Sequence, residues 1–352
     1  MKKLLAFGLL CLASWGVAAQ TPAKLRNSKT PAVQAYPAAA CVPKDQVNAR
    51  MMAYKWGATL ATEGMNSSNT RAARAQWILA AQCYSQASRI DPTDSEAFSG
   101  WAMALGLEAR LLATTDLPAA RAMFRQVSQK LNRALKLDPQ NANAAYHWGI
   151  ALGDEAMAIT AAVPSDLAGA SALWQQARQK YALGLQIEPG NVQIADNWGG
   201  TFAQEAWALA ASDLPAARVL WQQAYDRFTI AISINPKHVG ASANLAAAML
   251  QERAALLKAS PQTLAQASAE ASDLLQKAKK ILLELEDNAA GNGSYNFACM
   301  YALEGQAADA MLWLERSAAA GKLPTKSHIA QDSDLDSLRN TPAFVAWFAQ
   351  LP

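Results

Sequence analysis

The chain has 352 residues, of which 52% are hydrophobic and only 17% are charged. This composition supplies enough apolar side chains for a buried core and excludes an intrinsically disordered chain. The formal net charge of +3 is too small to indicate nucleic acid or an anionic membrane surface as the partner.

The N-terminus has the pattern of a secretory signal peptide. Two lysines precede an apolar run from Leu4 to Trp15, and small residues precede Gln20. The run is too short to span a membrane. We therefore expect residues 1–19 to be removed and the mature protein to reside in the periplasm without stable membrane insertion. Residues 20–43 are rich in Pro, Ala and Thr and lack a period, which is typical of a flexible leader.

Three cysteines follow the signal peptide, so they cannot all pair within one chain. There is no CxxC motif, which excludes a thiol redox motif and a zinc ribbon. We favour buried free thiols at Cys83 and Cys299, because a cysteine of this kind packs as a small apolar residue. A Cys41–Cys83 bridge stays open as an alternative, since the periplasm permits disulfides.

The rest of the chain contains an internal repeat of about 48 residues, marked by three sets of positions in one register. The first set is a Trp followed seven residues later by a Glu. We call the aromatic members the Trp column and the acidic members the Glu column. The Trp column comprises Trp56, Trp101, Trp148 and Trp198, with Leu245 in the fifth copy. The Glu column comprises Glu63, Glu108, Glu155, Glu205 and Glu252.

The other two sets of positions predict that each unit is a pair of helices. One is an aromatic residue of a second helix, at Trp77, Phe124, Trp174 and Trp221. The other is an Asp-Pro, Glu-Pro or Asn-Pro pair that ends this helix, because Pro disfavours helical geometry at the preceding residue. Between the helices, Asp116, Asp213, and either Ser165 or Asp166 can cap the second helix.

These units resemble tetratricopeptide (TPR) repeats. The matching features are a large apolar residue beside a small one in the first helix, as in Trp148-Gly149, and the closing Pro139, Pro189 and Pro236. The unit from Tyr295 matches the 34-residue repeat best. The resemblance implies an all-α, TPR-like α-solenoid over residues 44–320, a right-handed superhelix of antiparallel helix hairpins.

The period exceeds that of an ordinary TPR by about fourteen residues, or seven in each helix. Seven residues are about two helical turns, so we expect each helix of the array to be about two turns longer than usual. Adding whole turns keeps the same face inward. Residues 321–352 resemble a closing segment found after such repeats, with apolar residues that would cover the last helix: Leu335, Leu338, Phe344, Trp347 and Phe348.

The predicted turns place an Arg opposite three members of the Glu column. Residues equally distant from the turn of an antiparallel hairpin face each other, and an Arg can donate two hydrogen bonds to one carboxylate. We therefore predict three structural pairs: Glu63 with Arg74, Glu108 with Arg121, and Glu205 with Arg218. The other two members face Ser171 and the vicinity of Ser268. Either a neighbouring unit supplies them with a cation, or their carboxylates are available to a ligand.

Motifs for catalysis or cofactor binding are absent from the sequence. It contains no HExxH, GxSxG, phosphate-binding or dinucleotide-binding motif. The histidines, His147, His238 and His328, lie far apart in the sequence and lack the spacing of paired metal ligands. We therefore predict that the protein is not an enzyme and needs neither a cofactor nor a metal.

The TPR resemblance implies that the first helices line a concave surface that binds a protein or peptide. Carried over position by position, the candidate partner-binding residues are Ser99, Met103, Asn143, Tyr146, His147, Ile150, Asp154, Glu155, Asp196, Asn197, Gln204 and Asn244. Peptide-binding repeats often place Asn at the positions of Asn197, Asn244 and Asn296. A receptor for a terminal carboxylate is disfavoured, since the position of Lys55 carries Gly100 and His147 in the next two units.

Three functions follow from this interpretation. The first is a non-catalytic periplasmic scaffold or adaptor that binds a protein partner through its concave face. The second is an immunity or inhibitor protein that neutralises a secreted toxin or an envelope enzyme. The third is a glycan-binding module that uses exposed Trp residues, although Trp at a repeated position usually packs in the core.

Overall fold

The structure is a computed structural model that describes residues 49–67, 70–162, 165–259 and 264–351. The predicted signal peptide, the leader and Cys41 lie outside these residues. Fourteen α-helices and no strand occur in the described ranges, which confirms the all-α prediction. Helices α1 to α14 span, in chain order, Ala49–Asn66, Thr70–Ile90, Ser95–Leu112, Leu117–Leu137, Ala142–Thr160, Leu167–Ile187, Val192–Leu209, Leu214–Ile234, Val239–Ala259, Leu264–Asn288, Ser294–Leu303, Ala307–Ala319, Lys326–Gln331 and Pro342–Ala349.

Successive helices pack as hairpins, each with a first and a second helix. Contacts join α1 to α2, α3 to α4, α7 to α8, α9 to α10 and α11 to α12. The chain forms two compact units. The N-terminal unit contains the described residues up to Ile159 and residues Gln175–Pro189, and the C-terminal unit contains Thr160–Trp174 and the described residues from Gly190. Each unit is an array of helix pairs, as the TPR-like solenoid prediction requires.

The helix ends lie where the sequence predicts them. Asp116, Asp166 and Asp213 each accept a hydrogen bond, at 2.8–3.0 Å, from the backbone N–H three residues further on. Four second helices, α2, α4, α6 and α8, then end directly before the acidic or Asn residue that precedes Pro, at Ile90, Leu137, Ile187 and Ile234. Between the two open alternatives, Asp166 rather than Ser165 caps α6.

Glycines in the first helices pack against aromatic rings of the second helices. A Cβ on Gly149 would lie 2.5 Å from the ring of Tyr181, and one on Gly199 would lie 2.7 Å from Phe228. Both rings are almost completely buried. The small residue of the repeat therefore lets the backbone of one helix approach the ring of the other, which a larger side chain would prevent.

The last hairpin is much shorter than the hairpins before it. Helices α11 and α12 have 10 and 13 residues, whereas α7 and α8 have 18 and 21. The difference of eight residues per helix is about two turns. The final segment packs on this hairpin, where Leu335, Leu338 and Phe344 are buried in one apolar cluster.

The cysteine prediction needs one correction. Cys299 is a buried free thiol, as predicted. Cys83 is disulfide-bonded, so the prediction of a free thiol there is wrong. The cysteine to which it is bonded lies outside the described residues.

Candidate functional site

The Glu column pairs between successive hairpins rather than across one hairpin. In the N-terminal unit, Arg74 donates to Glu108 from Nε and Nη2, each at 3.0 Å, and Arg121 Nε donates to Glu155 at 3.2 Å. In each pair the Arg lies on a second helix and the Glu lies on the next first helix. The predicted pairs Glu63–Arg74 and Glu108–Arg121 are therefore corrected.

The C-terminal unit continues this pattern with one change. Arg218 Nε donates to Glu252 Oε1 at 3.0 Å, and Tyr225 Oη donates to Glu252 Oε2 at 2.7 Å. Glu205 accepts a hydrogen bond from the Ser171 hydroxyl, so the predicted Glu205–Arg218 pair is also wrong. All four donors lie 34 residues before their Glu, and Ser171 takes the place that Arg has in the other three pairs.

The Glu155 carboxylate is consequently a structural group. Its side chain is 11% exposed, and it is held by the half-exposed Arg121 of the preceding hairpin. The sequence left open whether a neighbouring unit supplies this cation, and the structure shows that one does. Glu155 therefore joins two hairpins and no longer belongs among the residues available to a ligand.

The Trp column is partly buried and bound to cations. In three hairpins a basic side chain of the second helix lies over the Trp ring, at a distance at which a cation is attracted to the π face. The distances to the ring centroid are 3.8 Å for Lys130 over Trp101, 3.7 Å for Lys180 over Trp148, and 4.0 Å for Arg227 over Trp198. One face of each ring is thus occupied within its own hairpin.

In the N-terminal unit, the first helices α3 and α5 carry a polar and aromatic surface. Ser99 Oγ lies 3.1 Å from Nδ1 of His147, which links the two helices. Burial lowers the pKa of His147 to about 4, so the imidazole is neutral at pH 7. Tyr146 lies beside His147, with 5.6 Å between their ring centroids.

Asp154 is the acidic group of the same surface. Burial raises the pKa of its carboxyl to about 6, and the charge of Arg110 acts in the opposite direction. The residue nevertheless keeps part of its surface accessible. At pH 7 this carboxylate is mostly ionised and can accept hydrogen bonds from a partner's N–H groups. Arg110 was not among the sequence-predicted site residues, although it lies two residues after Glu108 on the same helix.

In the C-terminal unit, the side chains at the equivalent positions make contacts with other residues of the same unit. Asp196 is 3% exposed and accepts a hydrogen bond from Asn244 Nδ2 at 2.9 Å. His238 Nδ1 lies 3.8 Å from the same carboxylate. Burial raises the pKa of Asp196 to about 7, against the effect of the Asn244 hydrogen bond. Asn197 is also buried and donates to the carbonyl oxygen of Gln193 at 2.9 Å.

The predicted partner-binding residues thus differ in accessibility. Half of the set is buried: Ser99, Ile150, Glu155, Asp196, Asn197 and Asn244. The other half is partly or fully accessible: Met103, Asn143, Tyr146, His147, Asp154 and Gln204. Gln204 accepts a hydrogen bond from Trp174 Nε1 at 3.3 Å. The accessible members other than Gln204 therefore belong to the N-terminal unit, and we call these five residues the N-terminal face.

The N-terminal face offers hydrogen-bonding groups, an apolar thioether and an aromatic ring. Its titratable groups are one carboxyl, one neutral imidazole and the phenol of Tyr146. None of the described helices is both long and apolar enough to cross a lipid bilayer. The arrangement is suited to binding a polypeptide surface by mixed polar and apolar contacts.

Comparisons with known proteins give structural likeness only. No protein-family model matches the chain, and no curated protein matches it. The crystal structure of MamA protein is 13% identical, covers 66% of this chain and 96% of its own, and has a TM-score of 0.37. YrrB, described as a TPR protein with an unusual peptide-binding site, is 14% identical, with coverages of 63% and 86% and a TM-score of 0.31. A human IFIT1 dimer with PPP-AAAA is 14% identical, with coverages of 78% and 79% and a TM-score of 0.26.

The fold assignment rests on the chain's own hairpins rather than on these weak similarities. Three features of the hairpins support it: paired antiparallel helices, second helices that end before Pro, and first-helix glycines in contact with buried aromatic rings. The same features are those that the repeat pattern of the sequence predicts. The described residues therefore form an all-α array of antiparallel helix hairpins, the TPR-like fold that the repeat pattern of the sequence predicts.

Proposed function

We propose that this chain is a non-catalytic scaffold or adaptor that binds a protein partner through the N-terminal face. The observation that carries the proposal is the contrast in accessibility between the two units. The N-terminal face keeps Tyr146, His147 and Asp154 partly accessible, whereas the equivalent side chains of the C-terminal unit are buried or bonded internally. A repeat surface that presents polar and aromatic side chains without a catalytic motif is suited to protein recognition.

The proposed compartment is the periplasm, on the evidence of the signal peptide pattern in the sequence. The mass of the mature protein tests this part independently. Cleavage before Gln20 is expected. A retained Met1 would remove the support for export while leaving the binding proposal intact.

The binding proposal is tested by site-specific photo-crosslinking in cells. A photoreactive amino acid at Tyr146 is expected to capture a partner protein. The matched control is the same amino acid at Gln126, an exposed position on the second helix α4 of the same unit. Capture from Gln126 but not from Tyr146 would move the binding surface to the second helices and overturn the proposal.

The affinity of the captured partner then tests Asp154. The Asp154→Ala variant is expected to bind the partner about tenfold more weakly, since loss of one hydrogen bond to a charged group costs roughly 1.5–3 kcal/mol. Met103→Ala tests the apolar part of the same surface. Unchanged affinity in both variants would contradict the assignment of this face.

The two alternative functions make different predictions about the same surface. An immunity or inhibitor protein would use it too, and the captured partner would then be a toxin or an envelope enzyme whose activity falls on binding. A glycan-binding module would need free aromatic faces. The cations over Trp101, Trp148 and Trp198 count against that role for these three rings.

A further inference from the structure

A second group of reactive side chains lies in the C-terminal unit, where the last hairpin meets the segment that follows α13. The short helix α11 and the segment after α13 bring Cys299, Asp332 and Asp334 together. The Cys299 thiol sulfur and one carboxylate oxygen from each Asp all lie within 4.8 Å of one another. All three residues are buried, with 2–7% exposure. This is a mixed set of one sulfur and two oxygen donors in the interior of the protein.

The Asp332 carboxylate is the centre of the cluster. Its Oδ2 atom accepts a hydrogen bond from Tyr295 Oη at 2.7 Å and lies 3.7 Å from Cys299 Sγ. His328 Nε2 lies 3.8 Å from the same oxygen. Its Oδ1 atom accepts the backbone N–H of Asp334 at 3.0 Å. Asp332 is therefore held in a fixed orientation, with a thiol and an imidazole beside it.

The Asp334 carboxylate has a different environment. It is only 7% exposed, and none of the residues that the structure describes donates a hydrogen bond to it. Burying a charged carboxylate without a hydrogen-bonding partner is strongly unfavourable, and a second carboxylate within 4.8 Å adds repulsion. The charge of Lys258 acts on this carboxylate, and a cation at the point where the three donor atoms converge would offset its desolvation directly.

We propose that this cluster binds one divalent metal ion of borderline softness, of which Zn²⁺ is the representative, through the three protein ligands Cys299, Asp332 and Asp334. Thiolate, imidazole and carboxylate are the donors that Zn²⁺ takes in four-coordinate protein sites. Mg²⁺ and Ca²⁺ are disfavoured, because both prefer oxygen ligands alone. Tyr295 orients the Asp332 carboxylate, as residues behind a metal ligand commonly do.

The location of the cluster gives the ion a structural role. Cys299 lies on the first helix of the last hairpin, and the two Asp residues lie in the segment that closes the array. A metal ion bonded to both would fasten that segment to the hairpin. Because the thiol must lose its proton to become a ligand, binding of the ion releases a proton.

The test uses the full mature protein and the metal ion alone. Titration with Zn²⁺ is expected to show one ion per chain and a higher melting temperature. Replacement by Co²⁺ reports the ligands directly, since a bound thiolate adds a sulfur-to-metal charge-transfer band to the absorption spectrum. Cys299→Ser is expected to remove this band, and Asp334→Asn is expected to weaken binding by about tenfold or more.

Asp336→Asn is the matched control, because Asp336 is an exposed carboxylate two residues further on and is paired with Arg339 at 2.6 Å. It should bind the ion as the unaltered protein does. Asp334→Asn preserves the size of the side chain, and the helical circular dichroism spectrum of this variant in the absence of metal shows whether it folds.

The proposal is overturned if no ion binds in a one-to-one ratio, or if binding occurs without the thiolate band. It is also overturned if Cys299→Ser and Asp334→Asn both fold and bind normally. In each of these cases the cluster is a hydrogen-bonded part of the core.

Discussion

Equivalent positions on the first helices of the two units differ in their accessibility to solvent. Counted from Trp148 and Trp198, Tyr146 corresponds to Asp196, and Asp154 corresponds to Gln204. In the N-terminal unit these positions remain partly accessible. In the C-terminal unit Asp196 is 3% exposed, and Gln204, although partly accessible, accepts a hydrogen bond from a buried Trp. A repeat position thus determines where a residue lies on its helix, while the neighbouring side chains determine whether a partner can reach it.

The two acidic groups show this difference in their protonation. Burial raises the pKa of both carboxyls, to about 7 for Asp196 and about 6 for Asp154. Asp196 is stabilised by Asn244 through a neutral amide donor, whereas Asp154 lies near the charge of Arg110. The same chemical group is therefore an internal contact in one unit and an available acceptor in the other.

The largest expected effect is the response of Asp196→Asn to pH. The folded-state pKa of Asp196, about 7, exceeds its ordinary value of 3.8, so the folded protein binds this proton more tightly than the unfolded chain. The free energy of unfolding should therefore decrease as the pH rises from about 4 to 7, by at most about 4 kcal/mol. Asn cannot ionise, so the variant should lose this decrease and be more stable than the unaltered protein at pH 8.

Urea unfolding at pH 4.5 and pH 8 measures this difference, and Asp154→Asn is the matched comparison. The partial accessibility of Asp154 and the nearby Arg110 predict a smaller gain at pH 8. His238 also lies near Asp196, and burial lowers the pKa of its imidazole. A larger gain from Asp154→Asn than from Asp196→Asn would reverse the comparison between the two units.

The Glu column supplies the next largest effect. Glu252→Ala removes the acceptor for both Arg218 and Tyr225, and Glu155→Ala removes the acceptor for Arg121 alone. We expect losses of about 3 kcal/mol for Glu252→Ala and about 2 kcal/mol for Glu155→Ala, because each hydrogen bond to a charged group contributes roughly 1.5–3 kcal/mol. Thermal unfolding of the two variants measures the order.

Glu63→Ala is the control for this series. Glu63 is exposed, and its predicted partner Arg74 instead binds Glu108. Its substitution should change the unfolding free energy by no more than about 0.5 kcal/mol. A loss comparable to that of Glu155→Ala would indicate that Glu63 does pair with Arg74 across its own hairpin.

The sequence predicts the parts of this fold that depend on local chemistry. Asp116 and Asp213 cap helices where expected, and Pro139 ends a helix where expected, because capping and proline effects act within a few residues. The Glu–Arg pairing was predicted wrongly because counting from a turn describes one hairpin in isolation. Whether Arg121 turns towards Glu108 or Glu155 depends on how the next hairpin packs, which the spacing within one hairpin does not encode.

In the candidate site, too, the sequence predicts what depends on local pattern and does not predict what depends on tertiary packing. The repeat resemblance placed His147 and Asp196 on first helices, and both lie there. Their accessibility could not be predicted, because it depends on side chains roughly one repeat away, such as Ser99 and Asn244. The cations over the Trp column carry a weak sequence signal, since Lys130 and Arg227 each follow their Trp by 29 residues.

The glycines of the first helices separate the effect of packing from that of helix propensity. Gly149→Ala and Gly199→Ala would place a Cβ at 2.5 Å and 2.7 Å from the buried rings of Tyr181 and Phe228. Each should destabilise its unit by about 1–3 kcal/mol, the usual cost of overpacking. Similar losses in both would show that the contact between the first and second helix is equivalent in the two units, although their accessible surfaces differ.

Gly106→Ala is the control, since nothing lies within 4 Å of a Cβ added there. It should stabilise the protein by about 0.5–1 kcal/mol, because Ala is the better helix former. Destabilisation by all three variants would mean that the first helices need glycine for their backbone conformation rather than for contact with the rings.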